Sequence, residues 1–139
     1  MNPSADHKID VDGELQKGLQ FHKAGRLEQA EESYGRILES IPNHADALHL
    51  LGLVYCKKGN TRKAKALISQ AVAIDDKAPL FYVSLGDVLQ AENNHEAAVG
   101  YYRKALDLKP DMVQALCNLA NVLRETGDLQ QAQQQLHSR

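Results

Sequence analysis

The sequence predicts an all-α protein built from stacked pairs of antiparallel helices. The main evidence is a 34-residue period that runs along the chain without insertion or deletion. Apolar residues follow this period at helical spacing. Two columns of small residues repeat with it: Gly18, Gly52, Gly86 and Ala120 form the first, and Ala30, Ala64, Ala98 and Ala132 form the second. Because small side chains let two helices cross closely, each period is expected to form one helical pair.

The period divides the chain into a leader and four repeats. A flexible leader is predicted at residues 1–10, where charged and polar residues show no helical spacing. The repeats are predicted at residues 11–44, 45–78, 79–112 and 113–139, the last of them truncated. Stacked repeats bury a continuous core, so a chain of 139 residues is long enough to fold in this way.

The first repeat shows the signals that delimit each helical pair. Helices are expected at residues 11–24 and 27–40. Gly25 ends the first of them, because glycine readily adopts the left-handed conformation found at helix ends. Pro42 follows the second helix and stops it.

The second and third repeats carry the same signals. Gly59 ends a helix, and the side chain of Asn60 is placed to cap the next one. In the third repeat, Asn94 is expected to cap the second helix and Pro110 to close it. Pro79 suits the first turn of its helix, where the backbone N–H has no intrahelical partner.

The fourth repeat is predicted to turn at Gly127 and Asp128. A glutamine-rich last helix would follow, with Ala132 and Leu136 on its packed face. A repeat array needs a polar outer face, and this helix is a short one. Two interpretations stay open: the chain is the N-terminal module of a longer protein, or its end is polar enough to stand alone or to pair with another copy.

The composition indicates a soluble folded chain. Apolar residues make up 43% and charged residues 24%, and the net charge is −2, so no overall field favours nucleic acid. The apolar runs are too short to span a bilayer, and residues 1–10 carry no secretory signal. Cys56 and Cys117 are too few for a disulfide framework. We therefore expect a cytoplasmic protein that binds neither nucleic acid nor membranes.

A 34-residue helix-turn-helix period with Leu-Gly and Ala at these offsets resembles the tetratricopeptide repeat (TPR) family. The resemblance covers residues 11–139. It implies a right-handed α-solenoid, the TPR superhelix, with about 3.7 repeats. It also implies that the first helices of successive repeats line a concave groove that holds a peptide or helix of a partner protein. The expected function is that of a protein–protein interaction scaffold.

Reading the family's groove columns along this sequence gives a set of candidate peptide-binding residues. The groove is expected to be apolar towards the first two repeats and polar towards the last two. The candidates are Leu15, Leu19, His49, Leu50, Leu53, Asp87, Asn118 and Asn121.

Two subclasses of the family can be compared with these columns. Chaperone cochaperones hold a C-terminal carboxylate with lysine, arginine and asparagine side chains. The matching positions here lack Lys and Arg, so this subclass is excluded. Asn118-Leu119-Ala120-Asn121 instead resembles the repeats of O-linked N-acetylglucosamine transferases, in which asparagines bind the peptide backbone. An alternative function is therefore a substrate-recruiting module of a larger enzyme, although two solvated asparagines would give the same pattern.

Catalytic and cofactor signals are absent from the sequence. No phosphate loop, nucleophile elbow or dinucleotide fingerprint is present, so we predict no cofactor and no enzymatic activity. His22, His49 and Cys56 form no paired ligand motif, and no metal site is predicted. A basic cluster around one turn is interpreted as a solvated surface and contains Lys57, Lys58, Arg62, Lys63 and Lys65.

Overall fold

The computed structural model describes residues 9–137, with side chains described over residues 9–127. The described chain is all-α, as predicted, and contains no strand. It forms seven helices: α1 (Val11–Lys23), α2 (Leu27–Ser40), α3 (Ala45–Lys57), α4 (Thr61–Ile74), α5 (Pro79–Ala91), α6 (His95–Leu108) and α7 (Val113–His137). These helices belong to two compact units, unit 1 ending at Asp75 and unit 2 beginning at Asp76.

Unit 1 consists of two helical pairs that share one core. α1 packs against α2, α3 packs against α4, and α2 also contacts α3. The centre of this core is formed by Ala30, Tyr34, Leu51 and Val54, all buried. Partly buried side chains pack around it: Leu15, Phe21, Leu27, Leu38, Leu50, Tyr55 and Leu67. The apolar face of each helix thus faces its neighbours, as the helical spacing predicts.

Unit 2 consists of the pair α5 and α6 with α7 packed against α6. α5 begins with Pro79 in its first turn, as predicted. Most of its residues are buried, and those of α6 that are buried include Ala98, Tyr102 and Ala105. In α7, Ala115 and Val122 are fully buried.

The glycines of the first small-residue column, Gly18, Gly52 and Gly86, mark helix crossings as predicted, whereas Ala120 in the fourth place is exposed. A methyl group at Gly18 would overlap the ring of Tyr34, and one at Gly86 would overlap the ring of Tyr102. At Gly52 the added methyl would overlap Ile68. Interiors are close-packed, so these helices approach each other at a distance that leaves no room for a side chain.

The helix ends also follow the sequence signals. Gly25 and Gly59 have φ of 77° and 85°, the left-handed conformation for which glycine is suited. Asn60 Oδ1 accepts from the Lys63 N–H at 3.1 Å, and Asn94 Oδ1 accepts from the Ala97 N–H at 3.4 Å. These bonds satisfy backbone donors in the first turns of α4 and α6.

The start of the described chain lies within the predicted leader at residues 1–10. Residues 1–8 of that leader lie outside the described residues. Asp10 belongs to the first helix boundary, because its side chain accepts from the Gly13 N–H at 3.1 Å and caps α1. The carboxylate also lies at the positive end of the helix dipole, where a negative charge is favoured.

The predicted turn at Gly127 and Asp128 is wrong, because α7 continues through both residues to His137. Thr126 Oγ1 donates to the Val122 carbonyl oxygen at 3.0 Å, a contact within a continuous helical turn. Glutamine is a good helix former, and the five glutamines after residue 129 would give a returning helix little apolar surface to bury. The helix therefore runs on, and Leu116 and Leu123 stay 46% and 42% exposed.

Candidate functional site

The first helices of unit 1 form an open cavity of about 720 Å³. We call this the unit 1 surface, and it is lined by Gln16, Leu19, Gln20, His22, Lys23, Leu50, Leu53 and Lys57. α1 contributes the first five of these residues and α3 the last three. The two helices are equivalent elements of successive repeats, so residues one period apart, such as Leu19 and Leu53, meet in the same cavity.

Three of the sequence-predicted groove residues line this cavity. Leu19 is 36% exposed, and Leu50 and Leu53 are half-buried. Leu15 instead packs against the core of unit 1, although it keeps part of its surface. The structure therefore brings together Leu19, Leu50 and Leu53 as an apolar floor.

His49 does not face the cavity, which corrects its assignment as a peptide contact. Its side chain is 3% exposed and so presents almost no surface to a partner. Burial lowers the pKa of His49 to about 4, although the negative charge of Asp46 acts in the opposite direction. The imidazole is therefore neutral at neutral pH and belongs to the interior.

Cationic and amide side chains surround the apolar floor, and the candidate groove residues did not include them. Lys23 and Lys57 are equivalent residues one period apart, each in the last turn of its helix. The pKa of His22 is lowered by burial and by the positive charge of Lys57. Lys57 thus lies close enough to His22 to influence its protonation, and the one-period match of Lys57 with Lys23 was the sequence signal for this pair.

A hydrogen-bonded cluster joins α5, α6 and α7 of unit 2. Asp87 Oδ1 accepts from Tyr102 Oη at 2.5 Å and from Asn118 Nδ2 at 2.9 Å. Gln90 Nε2 donates to Tyr102 Oη at 2.8 Å. Burial raises the pKa of Asp87, while the two hydrogen bonds oppose this rise because they stabilise the carboxylate. We call these four side chains the Asp87 cluster.

The two predicted asparagines differ in their environment. Asn118 is half-buried and uses one amide donor to hold Asp87. Asn121 is exposed, and its Oδ1 accepts from Arg124 Nη2 at 3.1 Å. Asn118 therefore orients a carboxylate within unit 2, whereas Asn121 lies at the surface beside a positive charge.

The basic cluster near the turn between α3 and α4 is partly neutralised by α2. Lys58 Nζ forms ion pairs with Glu31 at 3.1 Å and with Glu28 at 3.5 Å. Tyr55 donates a hydrogen bond to Glu31, and Lys63 Nζ lies 4.5 Å from the centre of the Tyr55 ring. These contacts occupy Lys58 and Lys63 within unit 1, and Lys57 takes no part in them.

Among the residues that the structure describes, no group of three or more His, Cys, Asp or Glu side chains is arranged to hold a metal ion. Within the same residues, no helix is both long enough and apolar enough to cross a membrane.

Helical pairs packed in register, with open surfaces on their first helices, define a helical-repeat protein. The family model of the tetratricopeptide repeat matches residues 21–82 and 89–138. The chain therefore belongs to the tetratricopeptide repeat family, which confirms the family that the glycine and alanine columns predicted.

Curated relatives match parts of the chain. Tetratricopeptide repeat protein 7A of Homo sapiens is 33% identical over 85 residues, which cover 61% of this chain and 10% of that protein. Type IV pilus assembly protein PilF of Pseudomonas aeruginosa is 34% identical over 91 residues, which cover 66% of this chain and 36% of that protein. The chain thus spans well under half the length of either relative.

Solved structures show the same fold. The chain matches an O-GlcNAc transferase of Thermobaculum terrenum with a TM-score of 0.79 and 29% identity, over 88% of this chain and 23% of that one. It matches the Sgt2 TPR domain of Aspergillus fumigatus with a TM-score of 0.82 and 17% identity, over 89% and 83% of the two chains. The second likeness shows the fold alone.

Proposed function

We propose that this protein is a non-catalytic scaffold that binds a segment of a partner protein on the first helices of its repeats. The observation that carries the proposal is the unit 1 surface, an open cavity with Leu19, Leu50 and Leu53 at its floor. Exposed apolar surface bounded by polar side chains is typical of a protein-interaction site. The first TPR of Spaghetti has a similar fold, with a TM-score of 0.77, and its solved structure is bound to an HSP90 peptide.

Unit 2 would contribute polar contacts to the same function. Asn121 is exposed and offers amide and carbonyl groups that can bond a peptide backbone. Asp87 and Asn118 are already joined to each other, so their geometry is fixed before any partner binds. Fixed polar groups lose less conformational entropy on binding than free ones.

The test is a double substitution, Leu53→Glu with Asn121→Glu. A charge on the apolar floor and another beside the polar cluster should abolish capture of partners from native lysate, as measured by mass spectrometry. Helicity, measured by circular dichroism, should stay unchanged. The matched control carries Ile74→Glu and Leu108→Glu, which replace exposed apolar residues of the second helices α4 and α6.

The control should capture the same partners as the unmodified chain. If the Leu53 and Asn121 variant also captures them at the same level, the first-helix surfaces are not the binding site. A Leu53 and Asn121 variant that stays folded but no longer captures the partners would support the proposal.

A second candidate is that the chain recruits substrates for a larger enzyme such as a glycosyltransferase. It is supported by the Asn118-to-Asn121 sequence and by the 29% identity to the transferase structure, of which the chain covers 23%. Reading the coding sequence beyond Arg139 separates the two candidates. A stop codon directly after Arg139 would contradict this one, and a transferase domain in frame would support it.

Self-association is a further proposal, with a second copy packing on α7. Leu116, Ala120 and Leu123 are exposed, although the residues equivalent to Ala120 in the preceding repeats, Gly18, Gly52 and Gly86, lie against side chains of their own second helices. Light scattering should detect dimers that Leu116→Glu with Leu123→Glu abolishes, and a monomer at high concentration would contradict this proposal.

A further inference from the structure

The unit 1 surface combines an apolar floor with a positively charged end, and this combination indicates the chemistry of its partner. We propose that it binds an acidic amphipathic segment, in which an aliphatic or aromatic side chain enters the cavity and a nearby carboxylate pairs with Lys23 and Lys57. The inference rests on the proposed function, because it names the partner class for the same surface.

The floor provides the place for the apolar side chain. Leu19, Leu50 and Leu53 lie on two neighbouring helices and are each partly exposed in the cavity of about 720 Å³. An open pocket of this kind removes a single large side chain of a partner from water. Gln16 and Gln20 lie beside the floor, and their amides can both donate to and accept from a peptide backbone.

The charged side chains that line the cavity are positive. Lys23 and Lys57 line it, and no Asp or Glu does. The acidic residues of α1 and α3 lie in the first turns of these helices, at Asp12, Glu14 and Asp46, whereas the lysines lie in the last turns. Each helix therefore runs from an acidic to a basic end, which favours a bound segment with its carboxylates at the lysine end.

Ion pairs within the described residues do not neutralise Lys23 and Lys57. Glu14 pairs with Lys17 and Arg36, and Glu28 and Glu31 pair with Lys58. Within the described residues, neither Lys23 nor Lys57 has a carboxylate within salt-bridge distance. Lys57 also contributes, after burial, to the lowered pKa of His22, which lines the same cavity.

The apolar floor distinguishes a protein partner from a nucleic acid. Both carry negative charge, but bases are held by stacking on aromatic side chains, and the cavity is lined by leucines. The residues also differ from a carboxylate clamp, since both lysines lie in the last helical turn, outside the repeat positions that hold the carboxylate in that subclass.

The experiment selects peptides from a phage-displayed library of random dodecapeptides against the full chain. The selected peptides should combine an aliphatic or aromatic residue with Asp or Glu a few positions away. Lys23→Glu with Lys57→Glu should weaken their affinity by about tenfold or more, as fluorescence anisotropy measures, because two ion pairs become repulsions. Selection against this variant should enrich Lys and Arg instead.

The control reverses two exposed charges that do not line the cavity, Arg62→Glu and Lys109→Glu, and changes the net charge by the same amount. Its affinity for the selected peptides should change by less than about twofold. Equal losses in both variants, selected peptides without acidic enrichment, or binding of an oligonucleotide in place of the peptides would overturn the inference.

The outcomes also separate this inference from the proposed function. Peptides that lose binding on Leu53→Glu but not on reversal of Lys23 and Lys57 would leave the scaffold in place and remove the acidic preference. A library that yields no peptide, or peptides indifferent to Leu53→Glu and Asn121→Glu, would count against both.

Discussion

Two glycines of this protein differ in the space available for a side chain: Gly86 lies at a helix crossing, and Gly100 lies on an exposed helix face. Gly86 lies against the ring of Tyr102, which is fully buried and held by hydrogen bonds to Asp87 and Gln90. Gly100 has no atom within 4 Å of the place where a methyl group would stand. Both residues lie in helices of the same pair.

We predict that Gly86→Ala lowers the free energy of unfolding by about 1 to 2 kcal/mol, because the overlap with Tyr102 outweighs the gain in helix propensity. Gly100→Ala should raise it by up to about 1 kcal/mol, because the propensity gain meets no obstacle. Urea unfolding followed by circular dichroism measures both. Equal effects of the two substitutions would show that Gly86 is not at a close crossing.

His49 makes the stability of unit 1 dependent on pH. Its pKa in the folded state, about 4, lies below the value of about 6.5 expected in the unfolded chain. A proton therefore binds the unfolded chain more tightly, so the stabilisation is full above the unfolded pKa and is lost as the pH falls from there towards the folded pKa.

We predict that the His49 contribution lost between about pH 7 and about pH 4.5 is on the order of 2 kcal/mol. His49→Gln keeps a polar side chain without the titration, so its unfolding free energy should depend less steeply on pH. Urea unfolding at several pH values compares the two chains. Parallel pH profiles would mean that His49 is accessible to protons in the folded state.

At the scale of the helices, α7 differs from α1, α3 and α5 because it continues through the repeat position at which those helices have ended. Gly59 ends α3 with φ of 85°, whereas Gly127 lies inside a helix that continues to His137. The same residue type at the same repeat position therefore has two conformations. Alanine is favourable in a helix and unfavourable at positive φ, so it distinguishes the two.

We predict that Gly127→Ala raises the helical signal and the free energy of unfolding, by up to about 1 kcal/mol. Gly59→Ala should lower stability by about 1 to 2 kcal/mol, because it forces a methyl-bearing residue into the left-handed conformation. Circular dichroism and thermal unfolding measure both. A destabilising Gly127→Ala would mean that α7 turns at this residue, as the sequence pattern alone suggests.

The helices show how far the sequence determines the fold. The glycine and alanine columns, Gly25, Gly59, Asn60 and Asn94 predicted the helical pairs and their ends, because each signal acts within a few residues of the chain. The continuation of α7 was not predictable from Gly127, since a turn there also requires a returning helix that buries enough apolar surface.

The site was predicted in part. Leu19, Leu50 and Leu53 follow from the column positions, because side chains one period apart meet on adjacent helices. The burial of His49 depends on the packing around it, and the link from Asn118 to Asp87 depends on the arrangement of α5 and α7. Column positions do not report such contacts between helices.

At the scale of the whole molecule, the chain is a member of the tetratricopeptide repeat family with a distinct surface in each unit. Unit 1 presents leucines beside two lysines, and unit 2 presents a fixed carboxylate with an exposed asparagine nearby. The chain covers small parts of its relatives, 10% of the human protein and 36% of PilF. The partner is therefore best identified from these surfaces.

The central claim is that partners bind to the first helices of the repeats. Its most direct test is nuclear magnetic resonance of the isotope-labelled chain, of 15.4 kDa, titrated with a selected peptide. We predict that the amide shifts change most at α1 and α3, around Leu19 and Leu53, while those of α2 and α4 change little. Changes concentrated on α2 and α4 would contradict the claim.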